Sequence, residues 1–209
     1  MKPEVLRALE NMKKRGYKVH TFESAAEMRE FVLQAIPEKE SVGFGGSVTV
    51  GRLHIFEALR ERGNTVFHHW SLPGEPRKTP EESREQQLLA HGADNYIMSA
   101  NAIAENGMML NIDGFGNRVA ALINGPKKVY ILVGENKFTS DEDEAVKRCK
   151  TKACPENAGR LKLRTPCADS GVCTDCSSSE RICNNAVWTW HVPAGREYHI
   201  CAAAETLGL

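Results

Sequence analysis

The stretch Val42-Gly43-Phe44-Gly45-Gly46-Ser47-Val48-Thr49 carries the reading of the fold: a short apolar strand, a glycine–glycine–serine turn, then the start of a helix. Such a turn lets backbone N–H groups approach an anion closely, and the hydroxyls of Ser47 and Thr49 add donors. A tight turn with Ser47 as helix N-cap explains the same residues without a ligand. The turn is neither a Walker loop, which continues Gly-Lys-Ser/Thr, nor a G-x-G-x-x-G turn, so no nucleotide motif is present.

Upstream of the turn, Val5, Leu6, Leu9 and Met12 recur at helical spacing until Gly16, and residues 17–22 alternate like a strand. Ser24-Ala25-Ala26-Glu27 reads as a capping box opening a second helix, with Met28, Phe31, Val32 and Ile36 on one face. Downstream, a third helix is expected through Arg62 to Gly63, then a strand at 65–68. A loop with three prolines, suited to a lid, follows at 71–80, and a polar helix at 80–91. Further strands are expected at 94–98, 108–112, 129–133, 188–192 and 198–202. Helix and strand alternating through most of the chain predict an α/β fold, a sheet with flanking helices. The reading is one domain over 1–209, with a helical and strand segment at 1–38 and a cysteine-rich metal-binding insertion at 151–186.

The 209 residues hold 41% hydrophobic and 26% charged side chains, ordinary for a soluble globular domain. Lys+Arg and Asp+Glu balance at 27 each, which gives no electrostatic case for nucleic acid or an anionic membrane. No apolar run has the length of a membrane span, and the charged N-terminus is unlike a signal peptide, so a cytoplasmic location is expected.

Two polar, glycine-punctuated turns flank the strand at 108–112. Ala104-Glu105-Asn106-Gly107 precedes it, and Asp113-Gly114-Phe115-Gly116-Asn117-Arg118 follows. Side chains at such strand ends often face a cleft in an α/β sheet. Glu105 is the candidate nucleophile or general base, and Arg118 the candidate clamp for a substrate carboxylate. Asn106, Asn111, Asp113 and Asn117 are candidate hydrogen-bonding partners of the substrate. Asp-Gly and Gly-Asn are also ordinary turn residues, and Glu105 with Arg118 would equally make a surface ion pair.

Cys167, Cys173, Cys176 and Cys183 fall at C-x5-C-x2-C-x6-C spacing within a loop-like composition. An odd total of seven cysteines argues for reduced, metal-binding or buried thiols over a disulfide framework. Only Cys173–Cys176 forms a zinc-type knuckle, so an iron–sulfur cluster of the [4Fe–4S] type is favoured over zinc. Cys154 is the alternative fourth ligand. Cys149 and Cys201 read as packing thiols. Too few apolar residues lie in 151–186 for the segment to order itself without a metal.

Taken together, Gly45–Thr49, Ser99–Gly107, Asn111–Ala120, Gly125-Pro126, Gly134-Glu135-Asn136-Lys137 and Glu205–Gly208 resemble the LUD-domain family of lactate-utilization proteins. The resemblance covers most of the chain. It implies a fold similar to the CoA-transferase and sugar-phosphate isomerase group, in which a glycine loop binds substrate and some members use the glutamate of an E-N-G motif, here Glu105. The cysteine segment resembles a subgroup of the family and implies a redox or metal role. The expected function is action on, or in the oxidation of, a small hydroxy or oxo acid, with partner subunits of a lactate-oxidising complex or as a homo-oligomer. The alternatives are a non-catalytic accessory protein with structural zinc and a CoA-transferase-like acyl-transfer enzyme.

Overall fold

The computed structural model describes residues 1–71, 74 and 76–209. Leu72, Pro73 and Glu75, in the loop read as a lid, lie outside the described residues. Six strands form a parallel sheet in the order β1 (Lys18–Phe22), β10 (Glu197–Ala203), β7 (Lys128–Gly134), β4 (Asn95–Met98), β2 (Val42–Phe44) and β3 (Val66–Phe67). A second, mixed sheet of four strands runs β8 (Phe138–Thr139), β5 (Ala102–Ala104), β6 (Met109–Asp113), β9 (Asn185–Thr189).

The parallel sheet is buried on both faces, and its period-two pattern sorts side chains between two cores. Along β7, Val129, Ile131 and Val133 join one cluster, while Tyr130 and Leu132 join the other. The first core is covered by α1 (Pro3–Lys14), α5 (Pro80–His91) and α6 (Asn117–Asn124), which contribute Leu9, Ala90 and Leu122. The second is covered by α2 (Ala25–Ala35), α3 (Val48–Arg52) and α4 (Ile55–Arg62), through Val32, Val50 and Leu59. Gly43 is required where α5 crosses β2, because a Cβ there would stand 2.5 Å from the Ala90 carbonyl oxygen.

Three differences from the sequence expectations have local causes. The single third helix is two, because His54 adopts a left-handed φ of 48° between α3 and α4. The Asn117-Arg118 turn is the first turn of α6, entered through Gly116 at φ 84°. The cysteine segment is partly helical: α7 (Glu142–Arg148) passes through a π-turn at Cys149–Ala153 into α8 (Cys154–Arg160), and a short α9 (Pro166–Ser170) follows. Cys149 and Cys201 are buried at 2% and 0% exposure, as packing thiols should be. No helix of the described residues is long and apolar enough to cross a membrane.

On the α2 side, β1 and β10 bring together a histidine pair. His199 Nε2 lies 2.7 Å from Glu197 Oε1, and His199 Nδ1 lies 3.0 Å from His20 Nε2. A carboxylate only accepts, so Nε2 of His199 carries its proton and Nδ1 accepts from His20. Burial holds both imidazoles below their ordinary pKa, and each is further opposed by Lys18. Hydrogen bonds from Lys18 and His199 hold Glu197 down to about 2. With folded pKa values below unfolded ones, the histidines stabilise the fold above about pH 6.5 and lose that contribution as pH falls through their folded values. The melting temperature is therefore expected to fall by roughly a few degrees between pH 7 and pH 5, with a flatter profile for His20→Gln. Parallel profiles for the two proteins would remove the histidine pair as the cause.

Candidate functional site

The carboxyl ends of β2 and β4 open, together with the β6–α6 turn, onto a cavity of ≈ 820 Å³. Gly45, Gly46, Ser47, Thr49, Asp113, Asn117 and Arg118 all line it. Four Lys or Arg residues (Arg52, Arg118, Lys137 and Arg160) and two carboxylates (Glu57 and Asp113) are among its described lining. A lining biased this way favours an anionic ligand. His69 and Trp70 also line it, and burial lowers the pKa of His69 against the opposing pull of Asp113.

Gly45 sits where it does because Arg118 passes directly over it: a Cβ there would lie 3.0 Å from the Arg118 Cγ and Cδ. The Ser47 hydroxyl accepts from Val50 N at 3.3 Å, which makes it the N-cap of α3. Thr49 is buried, its Oγ1 lying 3.4 Å from both Leu207 O and Ser99 Oγ. The glycine loop thus shapes the wall, while its hydroxyls are occupied locally.

Arg118 is not placed as a bidentate substrate clamp. Its Nη1 donates to Ser99 O at 2.9 Å and to Asn111 Oδ1 at 2.7 Å. Its Nη2 donates to Asn101 Oδ1 at 2.8 Å and to Ile112 O at 2.6 Å, and its Nε lies 3.7 Å from Asp113 Oδ2. The four N–H groups of its two terminal nitrogens are all engaged by protein acceptors, leaving no fork for a ligand. Burial works against its charge and Asp113 counters that effect. Arg118 therefore fixes the strand end and the turn on which the cavity is built. Asp113 also accepts from Gly116 N at 2.8 Å, which closes the turn into α6. Asn111 is fully buried behind this wall.

Glu105 and Asn106 stand elsewhere. Glu105 forms a bidentate pair with Arg7, with both contacts at 2.9 Å, and this partner holds its carboxyl below the usual range. Asn106 Nδ2 donates to Glu142 at 2.7 Å, and its carbonyl accepts from Arg15 at 2.7 Å. The Ala104–Gly107 turn is anchored to α1 and does not line the cavity.

Lys137 had only a motif position in the sequence, yet it is buried to 4% exposure and lines the cavity. It sits on a 3-10 turn directly after β7, and its Nζ donates to the main-chain oxygen of Leu209. Arg148 braces the same region: its guanidinium donates to Asn136 O, Asn101 O and Leu209 O at 2.9, 2.6 and 2.9 Å. The available signal was a lone lysine at the end of a strand buried along its length.

The cysteine segment shares the wall of this cavity through Ala153, Asn157, Arg160, Leu161 and Ile182. Gly114 packs so closely on it that a Cβ would lie 3.2 Å from Ile182 Cα. Asn184 N donates to Asp113 O at 3.1 Å. Burial pushes the Cys154 thiol up to about 12, and the neighbouring sulfurs of Cys149, Cys183, Cys173 and Cys167 push it the same way. Cys173 Sγ accepts from Asp175 N at 3.3 Å, and Cys173 N donates to Lys150 O at 2.9 Å. Arg181 donates to the carbonyls of Cys176 and Cys183 at 2.5 and 3.2 Å. Among the described residues, no three His, Cys, Asp or Glu side chains are grouped as a single ion requires.

The molecule is thus a parallel α/β domain with a positively biased cavity walled in part by the cysteine-bearing segment. The LUD domain model matches residues 5–201, and the chain belongs to that family. A crystal structure of a DUF162 family protein from Deinococcus radiodurans has the same fold, with a TM-score of 0.53 and 14% identity over 96% of each chain. A comparison with curated proteins yields no match.

Proposed function

We propose that the cavity takes a small organic acid of the hydroxy or oxo class. In this reading Cys167, Cys173, Cys176 and Cys183, with Cys154 beside them, hold an iron–sulfur cluster in preference to zinc. Membership of the LUD family implies a role related to lactate utilization. The observation that carries the reading is the shared wall: Ala153, Asn157 and Ile182 border the same cavity as the glycine loop and Lys137.

The donor set fits such a group. It offers soft thiols, an amide N–H already directed at Cys173 Sγ, and a half-buried sulfur whose neighbours are sulfurs. A single zinc ion needs its sulfurs about 2.3 Å from one point. A cluster interposes its own sulfides and suits thiols that are neighbours without converging. When bound, it would supply one-electron transfer or Lewis acidity toward a substrate oxygen.

The chain's own residues do the rest. Exposed Arg52 and Arg160 attract the carboxylate, Arg118 and Asp113 hold the cavity floor rigid, and Trp70 limits water on one side. The protein works with partner subunits of a lactate-oxidising complex in this reading.

The test is anaerobic purification or reconstitution with iron and sulfide, followed by metal analysis and titration with L-lactate and pyruvate. A brown protein absorbing near ~400 nm, with a spectrum perturbed by either acid, is expected. A colourless protein with stoichiometric zinc and no response to either acid would replace this reading with that of an accessory protein.

A further inference from the structure

Two polar side chains on the cavity wall have hydrogen-bonding groups that the fold does not use. Asn117 is buried at 8% exposure, and its backbone oxygen is engaged by His91 Nε2 at 2.8 Å. Its side-chain amide makes no hydrogen bond among the described residues, and its polar atoms are not sealed off. The same holds for the imidazole of His69, half-buried on the same wall. Buried polar groups are ordinarily satisfied within the protein, so an amide and a ring left open on a cavity are groups placed for a ligand.

The fold holds both in position. The His69 ring stands edge-on to Trp70 with centroids 5.5 Å apart, and Ser83 Oγ donates to the His69 carbonyl oxygen at 3.0 Å. Its Cε1 and Nε2 face the glycine turn, 3.5 and 3.6 Å from where a Cβ on Gly46 would stand. Asn117 opens α6 directly before Arg118, whose side chain crosses Gly45. Both residues therefore border the Gly45-Gly46 turn. Other polar groups there are taken: Ser47 caps α3, Thr49 lies between Ser99 and Leu207, and both terminal nitrogens of Arg118 serve protein acceptors.

A carboxamide N–H donates to a carboxylate, and an uncharged imidazole carries one nitrogen that accepts from a hydroxyl. We propose that Asn117 and His69 together bind a small 2-hydroxy acid, the Asn117 amide donating to its carboxylate and a His69 ring nitrogen accepting from its 2-hydroxyl, an assignment that rests on the organic-acid reading of the cavity. Burial keeps the His69 ring uncharged at neutral pH, Lys78 acting in the same sense and Asp113 against it. An acid of the same size without the hydroxyl would leave the ring nitrogen unpaired. Sites built to pair a hydroxyl discriminate against analogues that lack it.

The experiment is calorimetric titration of the intact, anaerobically purified protein with L-lactate, propionate and pyruvate at neutral pH. It is repeated on His69→Phe, His69→Gln and Asn117→Ala, each first checked by its thermal melt. L-Lactate is expected to bind roughly tenfold or more tightly than propionate. His69→Phe should bring lactate down to the propionate level without weakening propionate. His69→Gln, which keeps an acceptor, should restore part of the preference, and Asn117→Ala should weaken both acids alike. Equal binding of lactate and propionate by the parent, a preference unchanged in His69→Phe, or an Asn117→Ala protein that binds both acids as the parent does would each overturn the proposal. So would binding of pyruvate alone, and each of these results leaves the organic-acid site standing. Binding of none of the three acids removes the site and the proposal together.

Discussion

Replacing Arg118 by methionine is expected to lower the unfolding free energy by about 3–5 kcal/mol, the usual loss when one member of a buried charge pair is removed. The guanidinium serves four acceptors at once, and its ion-pair partner Asp113, 3.7 Å away, is only 7% exposed. Its loss strands Asn111 Oδ1, part of the Asn101 side chain, two strand-end carbonyls and a carboxylate away from water. Arg118→Lys should recover little, at least about 2 kcal/mol remaining lost, because one ammonium cannot span acceptors arranged around a planar fork. Against a total stability of order 5–15 kcal/mol, either variant is close to the limit of folding. Urea unfolding of both variants measures the effect. Asn111→Leu adds a control: it should cost less on the Arg118→Met background than in the parent, since the acceptor has already lost its donor. A lysine variant within about 0.5 kcal/mol of the parent would show that the network is ornamental.

The same arginine shows where sequence reasoning reached and where it stopped. The period-two strands and 3.6-period helices were legible because burial acts residue by residue, and Val129 to Val133 had few other conformations open to them. Asp113, Asn117 and Arg118 were also legible as a site, since polar residues at a strand end must be satisfied somewhere. What they satisfy was not legible. Arg118 turns inward because Gly45, 73 positions earlier, leaves room for its Cγ and Cδ. That coincidence is a property of packing between elements. Glu105 illustrates the converse: the same E-N-G residues that imply a nucleophile are claimed by Arg7 and Asn11 of α1 and by Arg15 just after it. Lys137 lay between the two cases, its burial readable from the apolar strand before it but its cationic company arriving from α6 and α7. Cys154 comes under the influence of Cys167, Cys173 and Cys183 for a similar reason, as the π-turn just before it offers Lys150 O to Cys173 N.

Cys173→Ala and Cys176→Ala are each expected to abolish metal binding and to open residues 151–186 to protease while the parallel sheet keeps its melting transition. The separation follows from where the apolar residues lie. The two cores contain the buried aliphatic side chains of the sheet and its helices. Between 151 and 186 the buried residues are Ala153, Pro155, Ala158 and Thr165, whereas Leu161 and Val172 are exposed. Such a segment offers little burial against about 1–2 kcal/mol of backbone entropy per ordered residue. Structural metal binding supplies free energy on the order of 10–16 kcal/mol in small zinc peptides, enough to reverse that balance. Cys201→Ala, which alters a thiol wholly inside the sheet core, is the complementary control: it should leave the metal in place and lower the melting temperature instead. Metal retained by Cys176→Ala but lost from Cys154→Ala would assign the fourth position to Cys154, the half-buried sulfur that neighbours Cys167, Cys173 and Cys183. Unfolding of the whole domain by Cys173→Ala would count against a thiol segment held separately from the sheet.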